Sequence, residues 1–353
     1  VIIGSGPAGL AIANELAGGT TRVAILESGG LDYDDDTQAL AGGNVVGRPY
    51  PDLDTTRLRY FGGTSNHGGG NVKPLDPIDF AARSWIAHSG WPFDHTHMTP
   101  YYARAGAFCG LPANAFTPAA WPDGARREPW RFRDDAVESH VFHTVGDDDL
   151  RFGETYRERI ESAANIDVYL FANVTEIETA ASGGAVTGLK IRTLSGTNVE
   201  ARARSYVLAA GGIENPRLLL LSNRQAPNGL GNDRDLVGRF FMEHLTIPKF
   251  VDVFPSDPFV NYDFYRPKDA DWGDTWGIIQ LSRQVQRAAR LPNIRFQRST
   301  IINSFNEHMD DPAMQSLRRL YFSLTGGGIG REEFNRHVAN VVADIDTVAD
   351  VAY

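Results

Sequence analysis

Cysteine is nearly absent: the 353 residues hold a single one, Cys109. It can form neither an internal disulfide nor a cysteine-based metal site, and it leaves the redox compartment open. Long apolar runs are missing as well. A membrane-spanning helix needs about 18 such residues in a row, and no run of that kind occurs. Positive charge is in deficit, with Lys+Arg 34 against Asp+Glu 44 and a net charge of −10, which argues against nucleic acid as the main partner. There are no internal repeats and no low-complexity tracts. With 42% hydrophobic and 22% charged residues, the composition excludes a disordered, collagen-like or disulfide-stapled chain. The length suggests about two domains. What is abundant is glycine: 36 residues, gathered in clusters.

The first cluster opens the chain. The apolar run Val1, Ile2, Ile3 reads as a buried parallel strand, and Leu10, Ile12, Ala13 and Leu16 fall at helical spacing. Val23 to Leu26 reads as a second short strand. Between the first strand and the helix stands Gly4-Ser5-Gly6-Pro7-Ala8-Gly9, a G-x-G-x-x-G. Gly4 allows a tight turn, Gly6 lets a pyrophosphate approach the backbone, and Gly9 lets helix and strand pack closely. The helix N-terminus then offers unpaired N–H groups to the phosphates. Glu27 follows Gly9 by 27 − 9 = 18 residues, about where a carboxylate meets ribose hydroxyls. An acid at this place suits FAD or NAD and disfavours a 2′-phosphate. A merely tight turn and an ordinary surface acid are the bland alternatives. The motif occurs once, so a second NADPH site is not supported.

Further along, Tyr101 to Cys109 reads as a helix opened by Thr99-Pro100, and residues 111–135 as loop. Arg151 to Ala164 reads as helical, followed by an apolar alternation from Ile166 to Ile177. Val186 to Ile191 and Val199 to Ala203 form an expected hairpin around Ser195-Gly196. Tyr206 to Ala210 reads as a buried strand feeding Gly211-Gly212 and a helix, Asn215 to Leu221. The helix Asp311 to Arg319 lies in a more polar region that starts near residue 246. Both ends read as cut: Val1 already lies inside a strand, and Asp344 to Tyr353 resembles a helix in progress.

The second cluster is Phe61-Gly62-Gly63-Thr64-Ser65-Asn66-His67-Gly68-Gly69-Gly70. It has too many glycines for a helix or strand interior, and can lie flat against a planar ligand or serve as a hinge. The order of motifs resembles the glucose–methanol–choline (GMC) family of FAD-dependent oxidoreductases, in the branch of pyranose oxidase and the sugar dehydrogenases. The resemblance is carried by the first glycine motif through Glu27-Ser28-Gly29-Gly30, by Gly63 to Asn71 and by Pro74 to Phe80. It continues through Ser89-Gly90-Trp91-Pro92 with Pro100-Tyr101-Tyr102, Ala209 to Leu219, and Val237-Gly238-Arg239 to Glu243-His244. Together these span about residues 1–245.

The resemblance implies an α/β fold: a Rossmann-like FAD-binding domain, with a parallel sheet and a β-meander, over residues 1–111 and 151–245. Residues 112–150 and 246–353 are then an incomplete α+β substrate domain with an antiparallel sheet. It implies FAD as cofactor, contacted by Gly4, Gly6, Gly9, Glu27, Gly63, Thr64, Asn66, His67, Val174 and Gly211. In matching members, the histidine at the place of His67 bonds covalently to the flavin; Gly68 here replaces the Trp that often follows it. The implied reaction oxidises the CH–OH of a sugar or polyol to a carbonyl, passing electrons to oxygen, a quinone or a cytochrome. The family's catalytic base is a histidine in a segment like His-x-x-Gly-Thr, and no such segment occurs up to Tyr353. No catalytic residue is therefore expected within the chain. A non-catalytic flavin-binding protein and another flavoenzyme class are the rival readings. The protein is expected to be soluble, cytoplasmic or periplasmic, and the sequence allows a homo-oligomer without requiring one.

Other constellations carry less. His95 and His97, with Asp94 and His88 nearby, invite a metal reading that the resemblance does not support, and no metal is expected. His140 and His143 are expected on a polar strand face, His244 in a structural role, and Asp147-Asp148-Asp149 in a solvated loop. Cys109 reads as core, and Trp91 and Trp121 as packing residues rather than sugar platforms.

Overall fold

The computed structural model describes residues 1–67, 69–113, 115–116, 128–244, 263–265, 267–270, 273–296, 312–325 and 331–345. Gly68, Trp121, Asp311 and the stretch after Ile345 lie outside the described residues. The chain divides into two compact units, Val1–Pro129 with Val141–Gly277, and Trp130–His140 with Ile278–Tyr353.

The first unit begins with β1 (Ile2–Ile3), α1 (Pro7–Leu16), β2 (Val23–Leu26) and the short α2 (Asp35–Ala39). A 3-10 turn at Gly63–His67 precedes β3 (Asn71–Val72), α3 (Pro77–Phe80), α4 (His95–Phe108) and β4 (Val137–Val145), of which the part from Val141 onward belongs to this unit. Short helices α5 (Asp147–Leu150), α6 (Phe152–Thr155) and α7 (Arg157–Glu161) lead to β5 (Ile166–Tyr169). The meander β6 (Asn173–Thr179), β7 (Val186–Arg192) and β8 (Asn198–Ala201) is followed by β9 (Val207–Leu208) and α8 (Gly211–Leu221).

Strands β5, β2, β1 and β9 lie side by side in that order, all parallel. Successive residues point to opposite faces, and both faces are covered, as a parallel sheet requires. Ile2 and Ile25 pack with Leu10 and Ala13 of α1, Phe61 and Ile160. Ile3 and Leu26 pack with Leu189 and Ile191 of the meander and Leu218 of α8. The expected α/β class, a parallel sheet with a β-meander, is the class observed, and antiparallel pairing is present too. In the first unit β3 pairs with β4, and β10 (Lys268–Ala270) with β11 (Gly273–Leu281).

In the second unit β11 continues into pairing with β12 (Arg295–Phe296), and Ser282 caps α9 (Arg283–Ala288). Helices Pro312–Thr325 and Arg331–Ala343 pack together, with Asn340 Nδ2 donating to the buried Ser316 Oγ at 2.9 Å. No helix among the described residues is long and apolar enough to cross a membrane.

Three local expectations shift. Helix α4 starts at His95 rather than at Thr99-Pro100, because Asp94 caps it: its carboxylate accepts from His97 N at 3.1 Å and Thr96 Oγ1 at 2.6 Å. Pro100 sits inside the helix. The expected helix Arg151 to Ala164 is interrupted at Tyr156, whose ring stacks on Phe108 at 4.4 Å and whose hydroxyl donates to Phe108 O at 2.5 Å. His143 is not on a polar face but fully buried. Its Nε2 donates to Ala115 O, so Nδ1 must accept, and Thr275 Oγ1 donates to it at 2.8 Å.

Burial holds the His143 imidazole below its ordinary pKa of 6.5. The unfolded chain therefore binds this proton more readily than the folded one. Stability from this group is present above the ordinary value and is lost as pH falls below it. Thermal midpoints measured between about pH 5 and about pH 8 should fall on the acid side, and H143Q should flatten that fall.

Candidate functional site

Strand β1 is flanked by β2 on one side and by β9 on the other. The chain leaves β1 through α1 toward β2, and reaches β9 only much later, so the carboxyl end of β1 is a topological switch point. Open parallel sheets bind ligands in the crevice at such a point. Here the crevice holds about 590 Å³, within the range of about 300–1,000 Å³ typical of small-molecule sites. The strand ends bring Gly4, Glu27 and Ala210 to its walls, and α1 and α8 both begin at it.

The three glycines of the first motif differ in role. Gly4 has φ +98, and a Cβ there would lie 2.7 Å from Ala209 O, so it serves the turn. A Cβ on Gly9 would lie 2.1 Å from Gly4 O, so Gly9 serves the contact between α1 and β1. A Cβ on Gly6 would meet nothing within 4 Å, yet Gly6 lines the crevice. Its missing side chain leaves space for a ligand rather than for the protein.

Glu27 is buried at 5% exposure and closes the turn from below. Its Oε2 accepts from Ser5 N at 3.0 Å and Ser5 Oγ at 2.6 Å, and its Oε1 from Gly29 N at 3.0 Å and Ser28 Oγ at 3.2 Å. The second glycine cluster packs onto the first. Gly62 N donates to Ser5 O at 3.2 Å, and a Cβ on Gly63 would lie 3.0 Å from Gly6 Cα.

Of the residues singled out from the sequence, Gly4, Gly6, Glu27, Gly63, Thr64, Val174 and Gly211 all line this crevice. Gly9 lies behind it. Asn66 and His67 end the 3-10 turn beyond Thr64 without lining the crevice. Asn66 Nδ2 donates to Phe61 O at 3.0 Å, and His67 is exposed. The turn into α8 is fastened by Asn215, whose Oδ1 accepts from Ala210 N at 2.9 Å.

The sequence reading missed a cluster of charges on the same wall. Glu214 takes Arg57 Nη2 at 2.9 Å, Arg59 Nη1 at 3.5 Å and Arg217 Nε at 2.8 Å. The arginine loop is held by Gln38 of α2, whose Nε2 donates to Asp54 O at 2.5 Å and Arg57 O at 2.7 Å, and whose Oε1 accepts from Arg59 N at 3.0 Å. Nothing in the sequence pattern joins Arg57 to Glu214, 157 residues apart. Tyr50 and Phe241 also line the crevice, their rings meeting edge-on at 5.5 Å.

The remaining candidates fall elsewhere. His95 and His97 sit in a row of rings, His97 lying 5.1 Å from Phe93 and 5.9 Å from Tyr101. Among the described residues no group of three His, Cys, Asp or Glu could hold a metal ion. Trp91 packs 5.6 Å from Phe93 in the same row, although it remains 55% exposed. His244 is exposed and paired with Glu243 at 3.1 Å. Cys109 is half-buried at the end of α4, and burial raises its thiol pKa. Asp147 to Asp149 belong to α5 rather than to a loop.

No protein-family model matches this chain. It is 25% identical to the 2-methyl-1,2-propanediol dehydrogenase of Mycolicibacterium austroafricanum, over 69% of this chain and 54% of that protein. A shorter stretch is 54% identical to the fructose dehydrogenase large subunit of Gluconobacter japonicus, over 12% of this chain and 8% of that protein. The match to the diol dehydrogenase thus spans about half that relative's length. A solved FAD-dependent oxidoreductase from Chaetomium thermophilum aligns with a TM-score of 0.42 and 20% identity, covering 63% of this chain and 47% of that one.

The glycine geometry predicts opposite outcomes for two alanine variants. G9A forces α1 away from β1 and should cost about 1–3 kcal/mol in chemical denaturation. G6A meets no atom and should cost under about 1 kcal/mol, the loss of an N-cap glycine. Its defect should appear instead as weakened dinucleotide binding.

Proposed function

We propose that this chain is the FAD-binding part of a GMC-type oxidoreductase that oxidises a CH–OH group of a sugar or polyol to a carbonyl. The observation that carries the reading is the convergence of both glycine stretches on the crevice at the carboxyl ends of β1, β2 and β9. A dinucleotide fits what is there. Gly6 leaves an open cradle, two helix N-termini point N–H groups at it, and Ala172 and Val174 of the β6 segment form an apolar wall. The named relatives, a diol dehydrogenase and a fructose dehydrogenase, support an alcohol substrate.

When bound, FAD would supply the hydride acceptor, and the protein the orientation. In this reading the Gly4–Gly9 turn and the start of α1 hold the diphosphate. Glu27 lines the ribose side of the crevice, its oxygens spent on anchoring Ser5 and the following turn. The Val174 strand takes the adenine, and Gly63 and Thr64 lie along the flavin end. Gly211 opens the second helix toward the same ligand. Asn66 and His67 follow on the 3-10 turn, with His67 as the proposed covalent attachment. The FAD-binding domain is proposed to comprise residues 1–111 and 151–245, and the substrate domain 112–150 and 246–353. The base that takes the hydroxyl proton is assigned to no residue of this chain, and oxygen, a quinone or a cytochrome serves as the electron acceptor.

FAD titrated into the chain should lose fluorescence with saturation, and the purified holoprotein should be yellow. Acid precipitation then decides the attachment: colour in the pellet supports the His67 bond and should be abolished by H67A, whereas a yellow supernatant refutes it. A chain that neither quenches FAD nor shifts its melting point with it removes the whole reading.

A further inference from the structure

The segment that follows α8 reaches the crevice wall. Its base is fixed: Val237 N donates to Asn232 Oδ1 at 2.9 Å, Arg239 N donates to Leu236 O at 3.2 Å, and a Cβ on Gly238 would lie 3.3 Å from Leu220 Cδ1 of α8. Beyond that base the fastening changes. Among the described residues, Phe240 to Glu243 make no backbone–backbone hydrogen bond. Phe240, Phe241 and Met242 are 56%, 55% and 86% exposed, so little apolar burial holds them either. Three side-chain contacts hold them instead. The Phe240 ring lies 4.4 Å from His88, Phe241 meets Tyr50 edge-on, and Glu243 Oε2 accepts from Tyr50 Oη at 3.2 Å. Tyr50, Phe241 and Glu243 line the crevice, whereas Phe240 and His88 do not.

Phe240 is also strained. Its φ is +57, in the left-handed region, where a bulky aromatic residue seldom sits. His88 has φ +56, which histidine bears more easily, so both rings of this contact are carried on left-handed backbone. Such conformations persist where neighbouring contacts impose them, and they gather at segments that switch. A short segment without backbone bonds, with exposed side chains and a strained residue, opens at far lower cost than the sheet behind it. We propose that Phe240–Glu243 is a strap along the crevice wall that swings away to admit and release the ligand, with the His88–Phe240 ring contact as its catch. The proposal rests on the dinucleotide reading for the identity of that ligand. It adds a moving part that neither glycine stretch contains.

The test removes the catch and leaves the crevice lining intact. H88G keeps the left-handed turn without a ring, and H88N is a second variant that also tolerates it. Stopped-flow fluorescence follows FAD entering and leaving each protein. Chymotrypsin with mass spectrometry follows cleavage after Phe240 and Phe241 in the unliganded chain, and circular dichroism follows folding. In both variants FAD association and dissociation should each rise about threefold, the scale of one lost ring contact, with Kd unchanged within about twofold. The two rates move together because the strap closes alike over an empty and a filled crevice. Cleavage at the strap should accelerate by the same factor, since opening exposes those bonds. A residue that only supports bound FAD would raise dissociation alone and weaken Kd, and that result overturns the catch. Unchanged rates, unchanged cleavage after Phe240 and Phe241, or lost secondary structure in both variants overturn it as well. Wild type that never binds FAD, with cleavage still accelerated in H88G, strikes the dinucleotide reading and supports the strap.

Discussion

The first unit is organised by the approach of helix α1 to strand β1. The absent Cβ of Gly9 would stand 2.1 Å from Gly4 O, so any side chain there separates the two elements. The remaining geometry of the crevice is built on that contact. With α1 seated, its N-terminus faces the end of the sheet, Gly6 is left bare at the rim, and Ser5 comes within reach of Glu27. Gly62 and Gly63 can then pack against Ser5 and Gly6, which places the second glycine cluster beside the first. Larger side chains at these few positions would move the walls apart.

The two sides of the crevice divide its electrostatics unequally. Glu27 is saturated by N–H and hydroxyl donors, and so costs little to bury. Elsewhere on the crevice lining, Glu214 pairs with three arginines, Arg57, Arg59 and Arg217. Backbone N–H groups at α1 and α8 add partial positive charge without side chains.

The parallel sheet was legible because its strands are short, apolar on both faces and punctuated by glycine. Ile2-Ile3, Val23 to Leu26 and the strand before Gly211 all announce themselves in this way. The hairpin around Ser195-Gly196 was legible for the same local reason. The start of α4 was obscured because Asp94 outcompetes the Thr99-Pro100 signal, and a proline inside a helix forfeits one hydrogen bond rather than the whole element. The interruption at Tyr156 follows from stacking on Phe108, 48 residues away. His143 looked polar in an alternating strand, and its burial depends on Ala115 and Thr275 arriving from distant segments.

For the site, the amino-acid sequence by itself determined the glycine turn, the acid at the end of the second strand and the glycine-rich second segment. These are local signals, set by backbone conformations that only glycine adopts easily and by spacing along one β-α-β unit. Tertiary structure alone decided that Thr64 and Gly63 line the crevice whereas Asn66 turns back to Phe61, and that Glu27 spends its oxygens on its own turn. It alone also assembled Arg57, Arg59 and Glu214, because an ion pair between residues far apart leaves no periodicity in the chain and exists only once the loop and α8 are packed against the same sheet.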